Sequence, residues 1–133
     1  MPTARGSFQV TSMNEDQYEE RDGGGKLTRA WGDQTFSGDI AGDGAVQWLM
    51  AYPGDGTAHL VGLQRISGSL GDRGGSFVIE AIGDFGGTTS SGTWTIVAGS
   101  GTAGLEGITG RGTFKAGPGP QATFELDYEL GSS

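Results

Sequence analysis

Residues 122–130, ATFELDYEL, alternate without interruption: Ala122, Phe124, Leu126, Tyr128 and Leu130 fall on one face, and Thr123, Glu125, Asp127 and Glu129 on the other. A period of two places one face in a core and the other in water, as in a strand of an antiparallel sheet with one side buried. Residues 45–52, AVQWLMAY, repeat the pattern and put Val46, Trp48, Met50 and Tyr52 on one side. SFVIEAI (76–82) and GTWTIVA (92–98) are rich in the β-branched and aromatic residues that suit a pleated surface. GSFQVTS near the start, KLTRAWGDQTFSG, TAHLVGLQRISG and GITGRGTFKAG bring the candidate strands to eight.

Glycine separates these runs. It makes up 28 of 133 residues, far above the usual share of about 7%. No three-residue repeat accompanies it, which removes collagen, and the ordered apolar alternation argues against disorder. Asp-Gly pairs at Asp22, Asp43 and Asp55, with Gly-Asp pairs at Gly38, Gly71 and Gly83, predict hairpin turns. Only NEDQYEE, 14–20, could coil into a helix, and it is too short to stand alone. GLQRISG at 62–68 echoes GLEGITG at 104–110, which predicts two similar hairpin arms and not a solenoid. The chain is therefore expected to be all-β, with little or no helix. Eight strands suit a closed antiparallel barrel, which leaves no sheet edge open; a two-sheet sandwich is the alternative. One domain is expected over residues 1–130, followed by a disordered tail at 131–133.

A formal net charge of −8 sets the chain against phosphate backbones and anionic membranes, so neither nucleic acid nor membrane is an expected partner. The absence of cysteine removes disulfides, thiolate metal sites and thiol catalysis. MPTARGSFQV has no apolar core of signal-peptide length and no run approaches a membrane span, so a cytoplasmic location is expected. DGGGK at 22–26 invites a phosphate-loop reading. Glu20 and Leu27 stand where that loop needs glycine and Ser or Thr, and a strand follows where it needs a helix. GSGTAG at 99–104 fits a dinucleotide fingerprint, but the glycines at 104, 107, 110 and 112 forbid the required helix and make it a turn. Asp39 and Asp43 lack calcium-loop spacing, and His59 is the only histidine, so no metal and no cofactor is expected.

Several residues remain as candidates. His59 reads either as a polar residue near a strand end or as a general base at a cavity mouth. Arg29 shares parity with Leu27 and Trp31, so burying Leu27 would carry the guanidinium inward, where it would need a carboxylate. Glu80 is the carboxylate best placed by sequence, unless Phe77 and Ile79 face inward and leave it in water. Tyr128, His59 and Glu80 are the candidate proton-moving groups. Arg29, Trp48, Met50, Tyr52, Phe77, Trp94 and Phe124 are candidate ligand contacts, each also readable as plain core. TAHLVGLQR is apolar at both parities. Gly62 could host a bulge that switches its faces, and strands of this kind suggest a subunit interface.

With KLTRA, FSGDI, WLMAY, DGTAH, GLQR, GSF and GSGTAGLEGITGRG in place, the chain resembles the bacterial domain of unknown function 3224 family, from about Ala4 to Leu130. The resemblance implies an eight-stranded antiparallel barrel of the allene-oxide-cyclase-like shape, often oligomeric, without an established activity. More distant barrels of that shape guide reactive apolar substrates without a cofactor, an analogy of fold alone. Three functions follow as expectations. The first is a cofactor-free isomerase or cyclase acting on a hydrophobic metabolite in an apolar central cavity. The second is a carrier or sensor of a small hydrophobic molecule. The third is a structural module that assembles as a homo-oligomer, dimer or trimer.

Overall fold

In the structure, a computed structural model that describes residues 2–117 and 121–131, eight strands close into one antiparallel barrel in simple chain order. They are β1 (Thr3–Glu20), β2 (Lys26–Gly38), β3 (Ile40–Tyr52), β4 (Ala58–Leu70), β5 (Arg73–Phe85), β6 (Ser90–Ile96), β7 (Thr109–Ala116) and β8 (Gln121–Glu129). Closure is made by β1 residues 3–9 against β8 residues 121–127. Ser132 and Ser133 of the predicted tail lie outside the described residues. Among the described residues, no helix is long and apolar enough to cross a membrane.

The alternation read from the sequence holds. Ala122, Phe124 and Leu126 are buried, and Thr123, Glu125 and Asp127 are exposed. The middle of the lumen is filled by an aromatic stack with Trp94 at its hub. Its ring lies 5.6 Å from Phe8, 5.3 Å from Phe124 and 6.1 Å from Phe114, centroid to centroid. Such pairs add about 0.5–1.5 kcal/mol each beyond the area they bury.

Glycines on the inner faces make room for these rings. A Cβ on Gly44 would lie 2.7 Å from Phe36 Cε1, and one on Gly83 would lie 2.8 Å from Phe114 Cζ. This corrects two predicted turns. Asp43-Gly44 and Gly83-Asp84 run inside β3 and β5, because their glycines provide space and not reversal. The pairs at Asp22, Asp55, Gly38 and Gly71 do lie at or beside chain reversals.

Three further readings change. NEDQYEE continues β1 as an extended strand, paired to β2 through Glu20↔Lys26. The two similar heptapeptides are not matching arms: 62–68 lies within β4, whereas 104–110 spans a 3-10 turn and the start of β7. Gly62 carries no bulge, since β4 keeps an unbroken register with both neighbours. The irregularities sit in β1 instead, where the register shifts between Val10 and Ser12 and again between Gln17 and Glu19. An extra residue reverses which side chains face inward, so Glu15 falls opposite Ala30, on the inner side.

The two barrel ends differ. At one end the β6–β7 connection, with its 3-10 turn Ala103–Leu105, folds back along β5. The Thr102 N–H donates to Ser76 O at 2.9 Å, and Leu105 and Ile108 are fully buried. That segment plugs the barrel. The opposite end carries the β1–β2, β3–β4 and β5–β6 turns, with the end of β7 at Ala116 and the start of β8 at Gln121.

Candidate functional site

A recess of about 240 Å3 enters the barrel at this second end. Its origin is a row of small side chains. Ser90 on β6 pairs with Ala116 on β7, Ala116 with Ala122 on β8, and Ala122 with Phe8 on β1. Three consecutive strands therefore present little bulk at one level, while Trp48 of β3 and Gln64 of β4 line the recess from across the lumen. Phe8, Phe114 and Val10 complete the apolar wall. The expected central cavity thus reduces to a recess at one end, because the aromatic stack occupies the middle.

Among the described residues, the buried polar side chains are Thr28, Gln34 and Gln64. The Gln64 Nε2–H donates to Gln34 Oε1 at 2.8 Å, joining two amides inside the barrel. Gln34 Nε2, Trp48 Nε1 and Trp94 Nε1 are buried without a hydrogen-bond partner among the described residues. Each of the three atoms is a donor. A buried donor left unmade costs about 1–3 kcal/mol. Trp48 owes its position to Gly62, where any Cβ would overlap the indole Cδ1.

A second polar group borders the same end on the β1–β3 side. Glu15 Oε2 accepts hydrogen bonds from Thr28 Oγ1 and from the Tyr52 hydroxyl, both at 2.6 Å. Partial burial, followed by the hydrogen bond to Glu15 and its negative charge, pushes the Tyr52 phenol up to about 12. Lys26 Nζ lies 4.9 Å from the centre of the Tyr52 ring.

The structure does not bring the predicted site residues together. Trp48 lines the recess, and Met50 packs against the core beside it. Tyr52 sits in the Glu15 cluster, while Trp94, Phe124 and Phe77 are buried core. Tyr128 lies near the plugged end, where its N–H donates to Pro2 O. His59 is on the outer surface with its Nδ1 2.7 Å from Asp84 Oδ1, both side chains more than half exposed (54% and 76%). Glu80 is exposed, as it must be once Phe77 and Ile79 face inward. Arg29 is exposed as well, and the inward reading of it is corrected. Thr28 and Ala30 take the inner face of β2, and the guanidinium stacks 4.7 Å from the Trp31 ring. Among the described residues, no group of three or more His, Asp and Glu is placed to hold a metal ion.

Sequence reasoning missed Phe8, Val10, Gln64, Ser90, Phe114, Ala116 and Ala122 as lining residues. The even-numbered alternation of β4, Leu60, Gly62, Gln64 and Ile66, was the signal that could have turned Gln64 inward.

Comparison with known proteins agrees with this architecture. The chain is similar to a protein of unknown function from Shewanella oneidensis MR-1, whose crystal structure has been solved. The match has 25% sequence identity and a TM-score of 0.80, and covers 100% of this chain and 99% of that one. No curated protein matches the sequence. The model of one family, described as a protein of unknown function, matches residues 4–128, and the Shewanella protein with the same barrel is of that family too; this chain belongs to the DUF3224 family.

Proposed function

We propose that this barrel binds one small, mostly apolar molecule in the open-end recess, by way of an acceptor atom on that molecule. The observation that carries the reading is an apolar wall that includes Trp48, whose Nε1 is a buried donor without a hydrogen-bond partner among the described residues. The size fits a modest ligand. A 150 Å3 apolar cavity holds benzene, and drug-sized pockets begin near 300 Å3. At about 240 Å3 the recess suits a single substituted ring or its equivalent. A carbonyl or ether oxygen could accept from the indole N–H, while the hydrocarbon body displaces water from Phe8, Val10 and Phe114.

Carriage or sensing is favoured over isomerisation for a specific reason. Among the described residues, none of the side chains lining the recess is an acid, a base or a tyrosine. General acid–base catalysis needs such a group within hydrogen-bond reach of the reacting atom. His59 and Glu80 point away from the lumen and Tyr128 lies toward the other end, so none of them supports turnover in the recess.

The test compares acetophenone with α-methylstyrene, which has the same shape without the oxygen. The Trp48 indole N–H signal in NMR should move on adding the ketone, and the ketone should bind about ten-fold more tightly than the alkene, in line with one buried hydrogen bond. Ala122→Leu should fill the recess and abolish the response while the barrel stays folded. Equal affinity for both probes, or an unchanged response in Ala122→Leu, would remove the proposal.

A further inference from the structure

The outer face of β2–β5 carries an apolar patch that the recess does not explain. Register sets Arg29, Leu49, Val61 and Ile82 side by side in one row across the four strands. The next row holds Trp31, Gln47, Leu63 and Glu80. Leu49, Val61, Leu63 and Ile82 are 50%, 37%, 54% and 42% exposed, and register places them next to one another in these two rows. Four adjacent apolar residues make a surface on the order of a few hundred Å2, the size at which a patch usually has a use. Arg29 and Glu80 lie at opposite margins of the patch, and neither makes an ion pair among the described residues.

We infer that this face is the contact between two copies of the chain, related by a two-fold axis that runs parallel to the strands between β3 and β4. Charge placement selects that axis. Rotation about it keeps every row at its own level and lays β2 of one copy over β5 of the other, and β3 over β4. Leu49 then meets Val61 of the second copy, and Val61 meets its Leu49. Arg29 falls over Ile82 of the second copy, one row from that copy's Glu80. Its guanidinium is already drawn toward that row, since it stacks on Trp31. The spacing of about 10 Å between facing sheets lies within the combined reach of the arginine and glutamate side chains. An axis perpendicular to the strands would instead lay β2 on β2 and β5 on β5, bringing Arg29 toward Arg29 and Glu80 toward Glu80. Like charges facing each other oppose association, so the parallel axis is the one this surface fits. The patch is self-complementary: an apolar centre, one cation and one anion, each repeated by symmetry.

Analytical ultracentrifugation of the full chain over a concentration series tests the inference. The wild type should sediment as a dimer, and Leu63→Asp as a monomer with an unchanged far-ultraviolet circular dichroism spectrum. Arg29→Glu should weaken the dimer about ten-fold or more by facing Glu80 of the second copy with a like charge. The double exchange Arg29→Glu with Glu80→Arg should restore it, since both symmetric pairs re-form with reversed sign. These exchanges keep the charge pairing testable even if Leu63→Asp fails to fold. A monomeric or trimeric wild type, a dimer that survives Leu63→Asp, or a double exchange no tighter than the single one would each overturn the proposal.

Discussion

At the residue scale, the interior is governed by the trade between rings and missing side chains. Phe36 occupies the space that a Cβ on Gly44 would need, at 2.7 Å from its Cε1. Gly44→Ala is therefore expected to destabilise the barrel by about 1–3 kcal/mol through overpacking. Phe36→Leu alone should cost a comparable amount by opening a void. Combined, the two changes should cost clearly less than their sum, because the new methyl takes up part of the vacated volume. Urea unfolding of the four proteins measures this, and strict additivity would show that the two residues do not share space. A second residue-scale prediction concerns Tyr52. Its phenol is raised from 10.0 to about 12, first by burial and then by Glu15. A folded value above the unfolded one means that the neutral phenol stabilises the fold. That contribution is whole below pH 10 and is lost as pH rises through 12. Ultraviolet titration of the tyrosines should show one ionising late, and Glu15→Gln should bring it earlier. If all three tyrosines ionise together near the ordinary value, the Glu15–Tyr52 contact does not exist in solution.

At the element scale, the plug and the β1 irregularity decide what the barrel ends become. Leu105 is 1% exposed, on a connection that would otherwise be a glycine-rich loop. Leu105→Ala should cost about 2–5 kcal/mol, the range for a buried leucine, and the loss should appear as a lower denaturation midpoint with little change in slope. The shift between Val10 and Ser12 is tested by deleting Thr11. A one-residue change in register reverses every side chain beyond it, so Glu15 should turn outward and Tyr52 should then titrate near its ordinary value. These elements also mark the limit of what the sequence reveals. Strands whose apolar residues alternate, such as 122–130 and 45–52, can be read directly, because burial on one face leaves a period of two. The continuation of β1 through NEDQYEE cannot, because its stability comes from pairing with β2 and not from its own residues. Gly44 and Gly83 were misplaced for a related reason: glycine beside aspartate serves a turn and a crowded lumen equally well, and only the facing ring tells them apart. The recess was less visible still. It arises from Ser90, Ala116 and Ala122, small residues distant in sequence that only strand register makes neighbours.

At the scale of the whole molecule, charge and closure act in opposite directions. Closing the sheet pairs the strands around the full circle and removes the edge strands that a sandwich would expose. The same compact surface must hold a net charge of −8. Among the described residues, the ion pairs between opposite full charges are Arg5–Glu125 and Arg21–Glu19, with exposed side chains on both sides. Exposed pairs contribute about 0–1 kcal/mol each, too little to offset the mutual repulsion of a surplus of carboxylates. Repulsion between separated surface charges is also the part that salt removes most readily, since the screening length falls from about 30 Å at 0.01 M to about 8 Å at 0.15 M. Adding sodium chloride over that range should therefore raise the melting temperature, and Arg5→Ala should leave it within about a degree, as for other surface substitutions. Scanning calorimetry at fixed protein concentration checks both. A melting temperature that falls with salt would mean that attractive pairs outweigh the net charge. The stability of this acidic barrel would then rest on its surface and not on the stack around Trp94.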